Sequence, residues 1–185
     1  GESTRPGASR PTPQEELRRV LPVVEGLAGL APVTIDTMRA EVAAAALDAG
    51  AAAVNDVSGG LADPEMVPLL AGRGVPVVAM HWRGHSDDMY ARAVYDDVVT
   101  EVCRELAERV EALVAAGVAP DRIAVDPGFG FAKTADHNWE LLRRLDEVVA
   151  LGPPVLVATS RKTFLGRVGR EPGHERAPLE REVAT

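Results

Sequence analysis

The chain has 185 residues, with 28 Asp+Glu against 20 Lys+Arg and a formal net charge of -8. That length can bury a core of its own, and the acidic balance excludes the Lys/Arg-rich face that holds a nucleic-acid backbone. The single cysteine, Cys103, rules out a disulfide within the chain and fits a reducing cytoplasm, and no run approaches the roughly 18 apolar residues of a membrane span.

Residues 1–13, GESTRPGASRPTP, mix Gly, Ser, Thr, Pro and Arg without periodicity and read as a loop. Thr12 then looks like an N-cap, with Pro13 at the first helical position and Glu15 completing a capping box. The helix so opened should run to about Leu27, and Pro22 inside it should kink it or end its regular part. Residues 39–48, RAEVAAAALD, are rich in the best helix former and stop before Gly50. Asp63-Pro64 reads as a cap followed by a first-turn proline, opening a helix that ends near Gly72 and Gly74. After a polar loop over residues 81–93 comes a long helix from about Val94 to Ala116. Its buried stripe is Val98, Val102, Leu106, Val110 and Leu113, with Cys103 as a small core residue. A later helix, entered after Asp136, should continue to about Val149, and beyond Gly169 the composition is that of a solvated loop.

Between these helices lie five short apolar runs, each ending in a polar residue: residues 32–35 before Asp36, 53–54 before Asn55, 75–80 before His81, 123–125 before Asp126, and 155–158 before Ser160 and Lys162. The most telling is residues 123–131, IAVDPGFGF, where a buried run ends in an acid and passes at once into a Pro-Gly turn. Parallel strands alternating with helices allow an open doubly wound sheet or a closed (β/α)8 barrel. An open sheet reads its ligand at one switch point, whereas here nearly every strand end carries polar equipment, so the α/β chain is expected to be a TIM barrel. A complete barrel takes roughly 250 residues. Residues 1–185 are therefore expected to form a single barrel domain that is incomplete in this chain, beginning after one strand and stopping in or before a late helix.

Asp36, Asn55 and Asp126 would converge at the mouth of such a barrel. Two carboxylates and an amide suit a flat heterocycle with adjacent N–H donors, because a carboxylate only accepts while an amide both gives and accepts. Lys162 would add a charge for a ring nitrogen or carbonyl, and Met80 and Phe131 the apolar walls. General acid/base work or magnesium binding by the paired acids stays open. His81 and His85 lack a third partner at zinc spacing, and His137 reads as a hydrogen-bonding residue at a helix start. Arg5, Arg10, Arg83 and Arg161 could serve a phosphate, although Arg10 and Arg83 read more simply as solvated arginines.

GESTRPGA at residues 1–8, TIDT at 34–37, NDVSG at 55–59, MH at 80–81, DPGFGFAKTADHNWELL at 126–142 and SRKTFLG at 160–166 resemble, in order, the dihydropteroate synthase family of pterin-binding barrels. The form of the HWRG and GFAKTADHNW segments is similar to the actinobacterial branch. The resemblance implies a (β/α)8 barrel that condenses 6-hydroxymethyl-7,8-dihydropterin pyrophosphate with p-aminobenzoate, releasing pyrophosphate with the help of Mg2+. It implies that Asp36, Asn55, Met80, Asp126, Phe131 and Lys162 hold the pterin. Thr4, Arg5 and Pro6 would close over p-aminobenzoate together with Ser160 and a helix start at Arg161, and Lys162, Asp36 and Arg5 would stand nearest the chemistry. The family's magnesium-binding Asn and its terminal Arg-x-His pair are not in this sequence, so no metal ligand is expected within it. Ala158 stands where many members have Gly. The partners implied are the two small-molecule substrates, with no nucleic acid and no membrane, and a second copy in a cytoplasmic homodimer. A methyltransferase acting on methyltetrahydrofolate, or a non-catalytic pterin-binding homologue, is the alternative. The 160–166 and 1–8 motifs speak against the former.

Overall fold

The computed structural model describes residues 9–85, 89, 91–168, 173–177 and 180–181. Helix α1 (Pro13–Leu27) is capped as expected, the Thr12 hydroxyl accepting from the Glu15 N–H at 3.2 Å. The Glu15 carboxylate does not close a capping box. It is drawn instead to Arg18 at 2.8 Å and Arg19 at 2.7 Å, the i+3 and i+4 positions of the same face. Nor does Pro22 end the helix, because the ladder closes again beyond it, with Ala28 N–H donating to Val24 O at 2.8 Å.

Helix α2 (Ala40–Asp48) and helix α3 (Met66–Arg73) follow. Asp63 was expected to cap α3 and does something wider: its Oδ1 takes the Glu65 N–H at 3.0 Å, shaping the turn into α3, while its Oδ2 takes the Ala40 N–H of α2 at 2.8 Å. One carboxylate therefore ties two helix starts together. Helix α4 (Val98–Ala115) begins later than expected because Asp97 is the effective cap, accepting from Thr100 N–H at 2.8 Å. The expected single late helix is two, α5 (Ala135–Arg143) and α6 (Leu145–Val149). They part at Arg144, φ -113°, whose guanidinium reaches Asp97 at 3.0 Å and Glu147 at 2.6 Å.

Strands β1 (Thr34–Asp36), β2 (Ala53–Asp56), β3 (Val77–Met80) and β4 (Ile123–Asp126) form one parallel sheet in the order β1-β2-β3-β4. Each neighbour in sequence is a neighbour in space, with no switch point, which is the order of a barrel arc and not of a doubly wound sheet. Register sets the level of the strand ends: Asp36 pairs with Asn55, and Met80 with Asp126. The fifth run forms no full strand. Val155 makes a single bridge to Val125, Leu156 N–H donates to Val125 O at 2.8 Å, and Leu156 and Val157 remain 41% and 44% exposed.

Packing divides into two large clusters. Val24, Ile35, Ala43, Val54, Leu70 and Leu113 join α1 to α3 and the end of α4 with the sheet, and Val99, Val102, Leu106, Val125, Phe129 and Leu141 join α4 and α5 to β4. Burying a leucine such as Leu106 stabilises by about 1.5–3 kcal/mol. The expected stripe of α4 is buried except at Val110, and Cys103 sits half-buried at its edge and not in the core, as a free thiol. No helix among the described residues is long and apolar enough to cross a membrane.

Candidate functional site

The sheet brings together at its carboxyl edge the side chains expected there from sequence. Asn55 Nδ2 donates to Asp36 Oδ2 at 3.2 Å, across the register pair of β1 and β2. Asn55 Oδ1 is buried and has no hydrogen-bond partner, the one such side-chain atom found among the described residues. An unsatisfied buried polar atom costs about 1–3 kcal/mol, so this acceptor calls for a donor that the described residues do not supply. Next to it in sequence, Asp56 is the opposite case. Its carboxylate is wholly buried and fully engaged by Ser58 N–H (2.8 Å), Ser58 Oγ (2.7 Å) and Gly60 N–H (2.8 Å). That turn fixes the strand end that carries Asn55.

Asp126 closes β4 and is buried, with Gly128 N–H donating to its Oδ1 at 2.7 Å. Burial raises its carboxyl above the usual range, opposed by that N–H and by the ammonium charges of Lys162 and Lys133. Lys162 is half-buried. Its Nζ donates to Phe129 O at 2.6 Å and lies 4.1 Å above the Phe131 ring. Burial lowers its ammonium pKa, while Asp126 and Asp36 oppose the shift, which places the two carboxylates and the ammonium in one electrostatic cluster. Met80 packs with Met38 and Val57, and Phe131 lies against them, giving the apolar wall.

The loop from Asp126 to Lys133 is locked along its main chain. Gly130 N–H donates to Asn138 Oδ1 at 2.7 Å, Tyr95 OH to Ala132 O at 3.0 Å, and Lys133 Nζ to Gly128 O at 3.2 Å and Phe131 O at 3.1 Å. Gly128 has φ +70°, and a Cβ there would stand 2.6 Å from His81 O. Gly130 has φ +77°, and a Cβ would stand 2.9 Å from the Lys162 stem. The backbone oxygen at Gly128 leaves no room for a Cβ, and at both places the left-handed conformation favours glycine. Ala132 takes a left-handed conformation too, φ 46°, which for a residue with a Cβ is strained, and such strain gathers at ligand sites.

Beneath this loop lies a polar network that no motif announced. His81 is buried, its Nε2 against Glu105 Oε2 at 2.9 Å and its Nδ1 against Lys133 Nζ at 2.9 Å. Arg83 joins Glu105, Glu101 (2.7 Å) and Val94 O (2.7 Å), and its guanidinium lies 3.9 Å over the Tyr95 ring. Arg83 is therefore neither the solvated arginine nor the phosphate ligand the sequence suggested, since the protein's own carboxylates claim it. His81 is equally committed. Among the described residues no group of three His, Cys, Asp or Glu side chains could hold a metal ion. His137 sits where expected, at the third position of α5, its Nδ1 accepting from the Thr134 N–H at 3.3 Å.

On the p-aminobenzoate side, Thr4, Arg5 and Pro6 lie outside the described residues. Ser160 and Arg161 are exposed, and no helix starts at Arg161. Its φ of 50° is left-handed and a 3-10 turn at Thr163–Arg167 follows instead. Arg10 is exposed and Ala158 half-buried. Sequence reasoning also missed Glu16, wholly buried on α1, which accepts from Thr37 Oγ1 at 2.8 Å and pairs with Arg39, whose Nη2 donates to Pro11 O at 2.7 Å. A charged residue on an apolar helix face was its only signal.

Comparison with known proteins gives consistent findings. Residues 1–185 match the family described as pterin binding enzyme. The dihydropteroate synthase of Mycobacterium leprae is 54% identical over 188 residues, covering 100% of this chain and 66% of that protein. The Xanthomonas albilineans dihydropteroate synthase solved with 4-aminobenzoic acid superposes with a TM-score of 0.89 at 44% identity, over 100% of this chain and 64% of that one. The same organism's enzyme in complex with 7,8-dihydropteroate gives a TM-score of 0.82 at 41% identity, over 92% and 61%. The chain thus spans slightly less than two thirds of the length of these relatives.

Proposed function

The chain belongs to the pterin-binding enzyme family and is a partial (β/α)8 barrel, and from that premise we propose that the protein works as a dihydropteroate synthase. The amine nitrogen of p-aminobenzoate attacks the methylene carbon of 6-hydroxymethyl-7,8-dihydropterin pyrophosphate. The carbon–oxygen bond to pyrophosphate breaks, and the amine gives up a proton. The observation that carries the reading is the buried, partnerless Asn55 Oδ1 beside Asp36, at the same strand edge as the buried Asp126. A pterin's amino-pyrimidinone edge offers N–H donors, and its ring nitrogens and carbonyl suit the Lys162 ammonium.

In this reading Asp126 and Asn55 hold the donor edge, Met80 and Phe131 line the slot, and Lys162 and Asp36 stand nearest the reacting end. Thr4, Arg5 and Pro6, with Ser160 and Arg161, form the p-aminobenzoate side. Mg2+ supplies charge for the leaving pyrophosphate. The described residues offer no group of three metal ligands, so no step by this chain's residues is routed through the ion. A cytoplasmic homodimer belongs to the same proposal: the single free cysteine fits a reducing compartment, and sedimentation of the intact protein tests the dimer.

The test of function is coupled pyrophosphate release by the intact protein. Release that requires both substrates is expected. Pterin binding without any release would leave a non-catalytic pterin-binding protein, and neither binding nor release would overturn the assignment of the site.

A further inference from the structure

We propose that Lys133 is a positioning residue for the pterin: its buried ammonium latches the 126–131 loop in its binding shape beside the Asp126 carboxylate, so that pterin affinity falls when Lys133 can no longer hold all of its acceptors. The inference rests on the pterin reading of the site above.

Lys133 is 2% exposed, and its Nζ meets three acceptors, Gly128 O at 3.2 Å, Phe131 O at 3.1 Å and His81 Nδ1 at 2.9 Å. An ammonium has three protons and satisfies all of them. Glu105 accepts from His81 Nε2, and because burial keeps the imidazole neutral above about pH 4, Nδ1 is left as an acceptor and the Lys133 ammonium supplies the proton of their contact. The two carbonyls bracket the stretch that carries Phe131 and the strained Ala132. Among the described residues no salt bridge neutralises the ammonium at contact distance, although an apolar side chain would fill the same space without the desolvation cost. A charge kept under such conditions calls for a use, and the adjacent use is the buried Asp126 carboxylate.

The groups facing Lys133 are Asp126 at the end of β4, His81 after β3, Arg83 beyond it, Glu105 on α4, His137 on α5 and Lys162 after the fifth run. Burial, opposed by Asp126, lowers the Lys133 pKa to about 7. Burial, reinforced by the Lys133 charge, lowers that of His81 to about 4, so His81 stays neutral where Lys133 titrates. Once Lys133 gives up its proton, one of its three acceptors loses a donor and Asp126 loses one of its two neighbouring ammonium groups.

The sign of the folding effect is opposite. The folded pKa is depressed from 10.5 to about 7, so the unfolded chain binds the proton more tightly and stability rises with pH across that interval. A latch for the ligand therefore makes pterin affinity fall while stability rises, and a purely structural lysine gives only the second trend.

The experiment titrates the intact protein calorimetrically with 6-hydroxymethyl-7,8-dihydropterin pyrophosphate from pH 6 to 9, alongside urea unfolding at each pH, for the parent and for Lys133→Met. The parent is expected to lose affinity by about tenfold, the worth of one charged hydrogen bond, as its stability climbs. Lys133→Met is expected to bind about tenfold more weakly at pH 6 and to lack the step near pH 7, and any fall left at higher pH belongs to Lys162. Should Lys133→Met fail to fold, Lys133→Arg, which keeps its charge throughout the range, is read in its place, and loss of the step near pH 7 in that variant decides. Lys133→Met with the parent's affinity and pH profile, or a parent whose affinity and stability rise together, overturns the positioning role alone. A parent that binds no pterin at any pH overturns the pterin reading, and this inference with it.

Discussion

The strand-edge cluster and the network beneath it contain similar residues in opposite conditions. At the edge, Asn55 Oδ1 lacks a partner and Asp126 is buried against its own ionisation. Underneath, His81, Glu105, Arg83 and Lys133 hand hydrogen bonds from one to the next without a gap. The difference separates roles that residue type alone does not. Polar groups satisfied by the protein hold its shape, and polar groups left wanting are addressed to something else.

Acid should break the lower layer first, and with the largest effect. The depressed pKa of His81, about 4 against 6.5, means that the unfolded chain takes up a proton where the folded one does not. That stability is fully present above pH 6.5 and is lost as pH falls towards 4. Burial raises the Glu105 pKa, but its bonds to His81 and Arg83 prevail and bring it to about 2. Its contribution, present above 4.5, disappears between 4.5 and 2. The two groups share one bond, so the His81 interval alone is counted, about 3 kcal/mol at 1.36 kcal/mol per unit. Asp126 has the reverse sign, since burial raises its pKa and the folded state then binds protons more tightly than the unfolded chain above 3.8. Urea unfolding at pH values between 7 and 3 should show a loss of stability beginning below 6.5, with Asp126 acting in the opposite direction. A flat profile would mean that the His81 bonds are not formed in solution.

The next largest effect belongs to the edge. Asp126→Asn keeps size but replaces one acceptor oxygen by an NH2 that faces a ligand donor. The lost charged hydrogen bond is worth about 1.5–3 kcal/mol and the mismatch about 1–3 more, so pterin affinity should fall by at least about fiftyfold. Gly128 N–H needs the Oδ1 acceptor, which Asn retains, so stability should move by less than about 1 kcal/mol. Pterin titration and thermal melting read the two quantities separately. Unchanged affinity would remove Asp126 from the site, and a collapse in melting temperature would make it a residue of the strand-loop junction.

What could be read beforehand follows the same division. Apolar runs ending in Asp36, Asn55 and Asp126 announced both the parallel strands and the convergence of their ends, because strand direction carries every terminal residue to one edge. Helix boundaries were misread where a stronger cap intervened, as at Asp97, or where one carboxylate served two helices, as at Asp63. The network under the loop was invisible for a different reason. Glu105 and Lys133 are far apart in sequence and meet only through His81, and each by itself looks like a solvated charge on a helix or a loop. Periodicity reports burial of apolar faces, and it is silent on which charges a fold can satisfy internally.

The smallest effect has the most diagnostic sign. Asn55 and Asp56 are consecutive on β2, the first with an orphaned oxygen and the second with every acceptor used. If the orphan is held for a ligand, the empty protein is destabilised by it, and a side chain of similar size without polar atoms should relieve that cost. Asn55→Leu gives up only the 3.2 Å bond to Asp36, at an exposed carboxylate where such bonds contribute little. The expected result is a stability gain of roughly 1 kcal/mol, a rise in melting temperature of about 2–4 °C, accompanied by at least about a tenfold loss of pterin affinity. Asp56→Leu should go the other way, because Ser58 and Gly60 would lose their acceptor and the turn behind Asn55 its shape. Asn55→Leu that destabilises the protein while leaving pterin affinity intact would place Asn55 with the scaffold, and its oxygen would then be satisfied by water.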